Sequence, residues 1–363
     1  MFPGNLPQRD SFLPSDNPIS VAVVGVGVFG RNHARVYKEL EQQGEPVRLV
    51  GVVDPNLDRA DAVAREFDCR AFGSVSQMLS THSEVRAASI AAPTVHHLEV
   101  ARALMQEEVD VLIEKPLASS LAEVDELQQL ASAHKRIVQV GHLERFNPAV
   151  RATLPLLTHP MFFEVHRLSV FTPRSLDVDV VLDLMIHDLD IVLAFVNSPV
   201  QEVRAVGLPI LSGKVDIANV RLEFESGCVA NFTASRVSTE RVRKLRFFQP
   251  NQYVSVDYGR QEVLVFTVGA DPKTSAAGSP TVNPQIQVAK PPVTSEEPLH
   301  AELKSFLHAV RQRSTPVVSL EDGRRALALA LEIVGAIGEH GKKVGLPSTA
   351  PANVPARNVQ ARN

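Results

Sequence analysis

Three glycines stand where a short apolar run gives way to a helical pattern, in the segment Gly25-Val26-Gly27-Val28-Phe29-Gly30. In such a turn the first glycine permits a tight bend, and the second lets a pyrophosphate approach backbone N–H groups. The third lets the helix pack closely on the strand. We therefore predict that a dinucleotide is bound by Gly25, Gly27, Val28, Phe29 and Gly30. The alternative is a glycine turn in another doubly wound fold.

An acidic residue, Asp54, ends the next apolar run, 24 residues after Gly30. A carboxylate at this place accepts hydrogen bonds from an adenosine ribose and repels a 2′-phosphate, so the sequence predicts NAD as the cofactor and disfavours NADP. A further segment follows another apolar run and is predicted to reach the same cofactor: Ala92, Pro93, Thr94 and His97. The alternative for that segment is an ordinary loop between strand and helix.

The tripeptide Glu114-Lys115-Pro116 directly follows an apolar run at 111–113. The carboxyl ends of parallel strands line the ligand crevice of an open α/β sheet, which predicts that Glu114 and Lys115 lie beside the cofactor. A lysine ammonium can hydrogen-bond a substrate hydroxyl and stabilise a developing oxyanion, and Glu114 could hold the lysine in place. The alternative is a solvated Glu–Lys pair in front of a helix-starting proline.

Asp183 and His187 are four residues apart in a largely apolar segment, so a helix places both on one face. A carboxylate beside an imidazole orients the ring and raises its basicity, which suits a general base. The alternative is a structural histidine, and only partnership with Lys115 favours catalysis. We predict no metal site, because the sequence has no His-Glu-x-x-His motif and no cysteine near His187.

The elements that must position these residues alternate between strand and helix up to Gly141. Short apolar runs predict strands at Ile19–Val24, 49–53, 88–92, 111–113 and 137–140. Helical patterns lie between them, as at His97–Gln106 and Leu121–His134. This alternation predicts βαβ units and an α/β fold with a doubly wound parallel sheet.

Beyond Gly141 the pattern changes to longer strands, predicted at 162–171, 203–208, 220–224 and 229–233. Hairpin turns are predicted at 225–227 and 258–260, each with a glycine to supply a positive φ. One helix is predicted at 180–196, and two more close the chain at 301–311 and 320–337.

Length and composition limit the class of protein. The 363 residues suggest about two domains. The 37 Lys and Arg against 41 Asp and Glu give a net charge of −4, which argues against a nucleic-acid binder. Cys69 and Cys228 are far apart and suit free thiols in a reducing cytoplasm. No apolar run reaches the roughly 20 residues of a membrane span, and no secretory signal is recognisable.

We predict four regions along the chain. Residues 1–17 form a flexible leader, and residues 18–142 form an NAD-binding Rossmann domain. Residues 143–345 form an α/β domain for substrate binding and oligomerisation, with a long loop at 269–298 that is rich in Pro, Ser, Thr, Ala and Gly. Residues 346–363 form a disordered tail.

Together these motifs resemble the Gfo/Idh/MocA family of nicotinamide-dependent oxidoreductases over about residues 18–340. The markers are the glycine turn, APTxxH at 92–97, EKP at 114–116, VGHLERFNPAV at 140–150, LDLMIHDLDI at 182–191 and EDGRRAL at 321–327. The resemblance implies an N-terminal Rossmann domain and a C-terminal α/β domain. In this family the second domain carries a large open, mostly antiparallel sheet, which implies a homo-oligomer, either a dimer or a tetramer.

By the same resemblance Lys115, Asp183 and His187 match the family's catalytic lysine, aspartate and histidine, with either Lys115 or His187 as the base. One departure concerns the approach to the catalytic helix. Many members have glycines there, whereas this chain has Asp177-Val178-Asp179, which leaves the shape of the substrate entrance open.

Within the family, segments 141–150, 177–191 and 233–258 look most like enzymes that oxidise the 3-hydroxyl of UDP-N-acetylglucosamine, for the amino-sugar precursor of lipid A. Arginine suits a diphosphate, so Arg236 is predicted to bind it, unless it merely pairs with a surface acid. The predicted substrate contacts are Lys115, Arg145, Asn147, Asp183, His187 and Arg236. The alternatives are a dehydrogenase of a free sugar, inositol or other polyol, and a non-catalytic NAD sensor.

Overall fold

The computed structural model describes residues 17–172, 178–270 and 284–345. These residues form two compact units. The first contains the residues up to Leu154 and Pro292–Ala328, and the second contains Pro155–Pro291 and the residues from Leu329 onward. Apart from Asn17, the predicted leader and tail lie outside the described residues. None of the helices in the described ranges is long and apolar enough to cross a lipid bilayer.

The elements are numbered in chain order. Strands β1 to β14 span Ile19–Val24, Val47–Val53, Arg70–Phe72, Ala87–Ile90, Asp110–Glu114, Val138–Gly141, Phe162–Val170, Val200–Leu208, Ile217–Phe224, Val229–Ser238, Val242–Gln249, Gln252–Asp257, Glu262–Ala270 and Pro284–Ala289. Helices α1 to α9 span Val28–Gln42, Leu57–Glu66, Val75–Thr81, His97–Gln106, Leu121–His134, Pro148–Thr153, Ile186–Val196, Pro298–Gln312 and Leu320–Lys343.

The first unit contains a six-stranded parallel sheet of order β3-β2-β1-β4-β5-β6. This order confirms the predicted doubly wound Rossmann sheet. Five of the six residues of β1 are buried, as expected of a strand covered by helices on both faces. The strand order reverses between β1 and β4, so the turn after β1, the loop after β4 and the end of β5 share one edge of the sheet.

Helix α8 packs in the first unit, although the predicted boundary at residue 142 assigned it to the second domain. Its residues Leu303, Phe306 and Val310 are buried in one apolar core with Tyr37 and Leu40 of α1. The physical reason is that α8 covers apolar surface which α1 and the parallel sheet leave open. Periodicity along the chain cannot show that a distant helix returns to an earlier core.

The second unit contains an eight-stranded sheet of order β14-β13-β12-β11-β7-β10-β9-β8. Only β7 and β10 pair in parallel, and the other neighbours are antiparallel. This confirms the large, mostly antiparallel sheet that the family resemblance implies. The predicted turn at 225–227 is present, with Gly227 at φ +82°.

Two expectations for this sheet need correction. In the turn after β12 the positive φ belongs to Gln261, at +53°, and not to Gly259. The predicted loop at 269–298 contains a strand, β14, which pairs with β13 from Val265 to Ala270. Residues 271–283 of that loop lie outside the described residues. Pairing with the sheet edge satisfies backbone groups in a segment whose composition alone favours disorder.

Candidate active site

The turn between β1 and α1 requires glycine at two positions, because a side chain there would collide with other atoms of the protein. Gly25 has φ +83°, and a Cβ there would lie 2.5 Å from Ala92 N. A Cβ at Gly30 would lie 1.8 Å from Gly25 O. By contrast, apart from its chain neighbours and the backbone of its own helix, no atom of the described residues lies within 4 Å of a Cβ built on Gly27. That open space fits a pyrophosphate approaching the backbone at the start of α1, where Val28 and Phe29 are exposed.

Asp54 lies directly behind this turn and is 4% exposed. Its Oδ2 accepts a hydrogen bond from Val26 N at 3.0 Å, and its Oδ1 accepts one from Asn56 N at 2.9 Å. A carboxylate has about four acceptor positions, so these bonds leave capacity for ribose hydroxyls. The structure adds Arg59, which the sequence analysis missed, with Nε 3.5 Å from Asp54 Oδ2.

We expect NAD to bind at least about tenfold more tightly than NADP, because Asp54 repels a 2′-phosphate. Arg59 partly offsets this repulsion. Asp54→Ser should therefore narrow the ratio of the two affinities, and Arg59→Ala should widen it. Fluorescence titration with NADH and NADPH measures both constants, and melting curves control for loosening of the turn. Equal affinity of the unaltered protein for the two cofactors would contradict the assignment.

His97 joins the loop after β4 to the loop after β5. Its Nε2 donates to Ala92 O at 2.9 Å, and its Nδ1 lies 3.2 Å from Leu117 O. The ring is 1% exposed, and this burial lowers the pKa of His97 despite the two carbonyl contacts. The geometry therefore gives His97 the task of fixing both loops. Its predicted contact with the cofactor, like those of Pro93 and Thr94, remains a prediction.

Glu114 ends β5, and Lys115 follows at the edge of the sheet that also holds the glycine turn. Glu114 is 7% exposed, and its Oε1 accepts a hydrogen bond from His33 Nε2 at 3.0 Å. This is a buried contact and not the solvated Glu–Lys pair of the alternative interpretation. Lys115 is half-buried, and its peptide bond to Pro116 is cis.

Arg145 and Asn147 have partners inside the first unit. Arg145 Nη2 lies 3.5 Å from Asp322 Oδ1. Asn147 is 3% exposed and caps α6, since its Oδ1 accepts from Ala149 N at 3.1 Å. Its Nδ2 donates to Glu144 Oε2 at 3.1 Å. These contacts give both side chains a structural role, and their proposed contact with substrate remains a prediction.

Asp183 and His187 belong to the second unit, at the start of the predicted 180–196 helix. That helix begins as a π-helical turn, Val181–Met185, in which Ile186 N donates to Val181 O, and continues as α7. Both Asp183 and His187 are half-buried. Single π-helical turns are frequent at functional sites. The π-helical turn could not be predicted from the sequence, because its residues are equally compatible with an ordinary α-helix.

An ion pair that the sequence analysis missed anchors α7 next to His187. Asp188 Oδ2 and Oδ1 accept from Arg167 Nε at 2.6 Å and Nη2 at 2.9 Å, and both residues are buried. The Arg167 guanidinium also lies 5.3 Å from the centre of the Tyr258 ring. A paired, bidentate contact of this kind fixes α7 on β7.

Arg236 is 5% exposed, and its side chain contacts other residues of the second unit. Its Nε lies 3.7 Å from Asp216 Oδ1, and its Nη2 donates to Val178 O. Burial alone would raise the pKa of Asp216, but hydrogen bonds from Ser212 and from backbone N–H groups outweigh it and lower that pKa. This arrangement matches the acid-pairing alternative, with a buried acid in place of a surface one. In the described residues, no group of three or more His, Cys, Asp and Glu side chains could hold a metal ion.

Two family descriptions match the chain. The "Oxidoreductase family, NAD-binding Rossmann fold" of Gfo/Idh/MocA matches residues 19–142. The "GFO/IDH/MocA C-terminal domain" matches residues 159–250. The two matches fall on the parallel sheet and on the antiparallel sheet, respectively, and cover more than half of the chain.

Individual relatives cover most of the chain. UDP-N-acetylglucosamine 3-dehydrogenase of Acidithiobacillus ferrooxidans is 38% identical over 313 residues, which are 86% of this chain and 95% of that enzyme. A solved structure of UDP-N-acetylglucosamine 3-dehydrogenase from that organism has a TM-score of 0.78 at 35% identity, over 88% of this chain and 98% of the other. The scyllo-inositol 2-dehydrogenase (NAD(+)) of Bacillus subtilis is 27% identical over 61% of this chain and 69% of that enzyme.

Proposed function

The chain belongs to the Gfo/Idh/MocA family of NAD-dependent oxidoreductases, and on that premise we propose that it oxidises the 3-hydroxyl of UDP-N-acetylglucosamine. The observation that carries this proposal is the 38% identity to a UDP-N-acetylglucosamine 3-dehydrogenase over 95% of that enzyme's length. The proposed setting is the cytoplasm, where the oxidised sugar enters synthesis of the lipid A amino-sugar precursor. The proposed active form is a homo-oligomer.

We propose the following roles for the chain's own residues. Lys115 hydrogen-bonds the reacting hydroxyl and stabilises the oxyanion that develops as its proton leaves. A ring nitrogen of His187 takes that proton, while Asp183 orients the imidazole and stabilises its protonated form. NAD, held by the glycine turn and Asp54, supplies the hydride acceptor when bound. Lys115 is the alternative base, which would leave His187 to orient the substrate.

A panel of alcohols tests the substrate class. The purified protein is incubated with NAD and, separately, UDP-N-acetylglucosamine, free N-acetylglucosamine, myo-inositol and scyllo-inositol, and NADH absorbance is followed. We expect turnover with the UDP-sugar and little with the others. The second candidate, an inositol or polyol dehydrogenase, is favoured by the Bacillus subtilis relative. It becomes the assignment if only the free polyols reduce NAD.

Arg236 remains our proposed contact for the substrate diphosphate. A guanidinium suits this task, because its planar fork of N–H donors matches the geometry of phosphate oxygens. We expect Arg236→Ala to raise KM for the UDP-sugar about tenfold, the factor that about 1.4 kcal/mol represents, with a smaller change in NADH affinity. The matched control is Arg246→Ala, which removes a partly exposed arginine that pairs with Glu164 at 3.4 Å. An unchanged KM together with a lowered melting temperature would make Arg236 purely structural.

A further inference from the structure

A buried polar cluster lies in the first unit, where four elements meet. Its members are His33 of α1, Glu114 of β5, Gln139 of β6 and Glu302 of α8, none more than 7% exposed. Gln139 Nε2 donates to Glu302 O at 3.2 Å. Acidic side chains are seldom fully buried without partners, so this concentration in an otherwise apolar core calls for a reason.

Space for the Glu114 carboxylate is built into the neighbouring strand. A Cβ on Gly141, the last residue of β6, would lie 2.7 Å from Glu114 Oε1. Any other residue at this position would push against the carboxylate. The carboxylate is therefore held on one side by β6 and on the other by His33, whose side chain is fully buried.

The two acids of this cluster differ in their contacts. Glu302 is fully buried, and among the described residues neither of its carboxyl oxygens has a hydrogen-bond partner. Burial, and then the negative charge of Glu114, raise the pKa of Glu302 well above its ordinary value, so Glu302 is the neutral acid. Tyr37, the other titratable group that faces Glu302, bonds to Ser89 Oγ at 2.8 Å and is also neutral, because burial raises its pKa.

His33 connects this cluster to the glycine turn. It lies on α1, five residues after the helix begins at Val28, and its ring contacts Phe29 edge-on with centroids 5.3 Å apart. Through its hydrogen bond to Glu114, one short helix segment links the glycine turn to the residue that precedes Lys115. Glu114 Oε2 makes no hydrogen bond within the described residues, so it remains an acceptor for a hydroxyl.

We propose that His33 is a positioning residue for NAD, which fixes the Glu114 carboxylate and the adjoining Lys115 relative to the glycine turn. This inference rests on the family's use of NAD and not on the identity of the sugar. His33 touches neither cofactor nor substrate in this account. Its hydrogen bond to Oε1 holds the Glu114 carboxylate in one orientation, so that Oε2 points in a fixed direction. Because the carboxylate is already ordered, less conformational entropy is lost when NAD binds.

Two substitutions at His33 separate positioning from simple packing. Gln places an N–H donor near the position of Nε2 and so keeps the bond to Glu114, whereas Asn places its donor near Nδ1 and loses it. We expect His33→Asn to raise the NADH dissociation constant about tenfold, and His33→Gln to stay within about threefold of the unaltered protein. His308→Asn, the same change at an exposed histidine of α8, should leave binding unchanged.

NADH binding is measured by fluorescence titration, and melting temperatures are recorded for each variant. Unchanged NADH affinity in His33→Asn would overturn the proposal, as would an equal loss of affinity in both variants. If neither variant folds, Glu114→Gln decides, because it keeps His33 and the shape of the side chain while removing the charged acceptor. The proposal then requires about a tenfold loss of NADH affinity, and unchanged affinity contradicts it.

Discussion

Exchange of His187 for alanine is expected to lower kcat about 10²–10⁴-fold, the usual contribution of a positioned general base. NADH affinity should stay nearly intact, because the glycine turn and Asp54, which are the predicted cofactor contacts, belong to the other unit. Steady-state kinetics with the substrate found in the panel give kcat, and fluorescence titration gives the NADH dissociation constant. The matched control is His159→Ala, at an exposed histidine of the same unit, which should leave kcat unchanged.

Lys115→Met should be measured beside it, since Met keeps much of the length of lysine and removes the ammonium. If Lys115 is the base, Lys115→Met loses more activity than His187→Ala. The step in kcat against pH that comes from deprotonation of the lysine should then disappear as well. If His187 is the base, the remaining activity of Lys115→Met should still fall at low pH, where the histidine is protonated. Near wild-type turnover of both variants would make the Lys115, Asp183 and His187 constellation structural.

The second large effect is expected from substitutions in the glycine turn. Alanine at Gly27 should weaken NADH binding, whereas alanine at Gly30 should destabilise the fold. Gly27→Ala is expected to leave the melting temperature close to that of the unaltered protein, because no described atom outside the local backbone and the chain neighbours lies within 4 Å of the added Cβ. NADH affinity should nevertheless fall at least about a hundredfold, roughly 2.8 kcal/mol, since a methyl group there holds the pyrophosphate away from the backbone N–H groups.

Gly30→Ala should instead damage the fold. Its Cβ would lie 1.8 Å from Gly25 O, and backbone atoms cannot move aside as a flexible side chain can. Overpacking of this kind costs about 1–3 kcal/mol or more, so we expect a clearly lowered melting temperature or no folded protein. Thermal melting and NADH titration of both variants provide the measurement. A stable Gly27→Ala that binds NADH normally would show that the pyrophosphate does not lie on this turn.

The first half of the chain was predictable because its elements are long or strongly apolar. The predicted bounds of β1, α4 and α5 agree with the structure, since each has a continuous apolar run or a clear helical period. β3 and α3 were missed because three and seven residues carry too little periodicity. β11 was missed because charged residues alternate along a strand with one half-exposed face, as Lys244 and Arg246 do.

The candidate site was predictable in its residue types and much less so in its partners. Glycine spacing and the acid after β2 predicted a cofactor turn without any structure, and the structure places Asp54 against that turn. The partners of Arg236 and Asn147 could not be predicted, because Asp216 and Val178 are brought to Arg236 only by folding. His33 was missed for the same reason, since its contact with Glu114 spans 81 residues of sequence.

The measurement that tests the proposed function most directly is transfer of deuterium from the sugar to the cofactor. UDP-N-acetylglucosamine labelled with deuterium at C3 is incubated with the protein and NAD, with hydrazine present to trap the ketone, and the reduced cofactor is analysed by mass spectrometry. We expect NADH that carries one deuterium from the C3-labelled substrate and none from a C4-labelled control. Reduced cofactor that is unlabelled with the C3 substrate, or no reduced cofactor with UDP-N-acetylglucosamine while scyllo-inositol reduces NAD, would contradict the assignment.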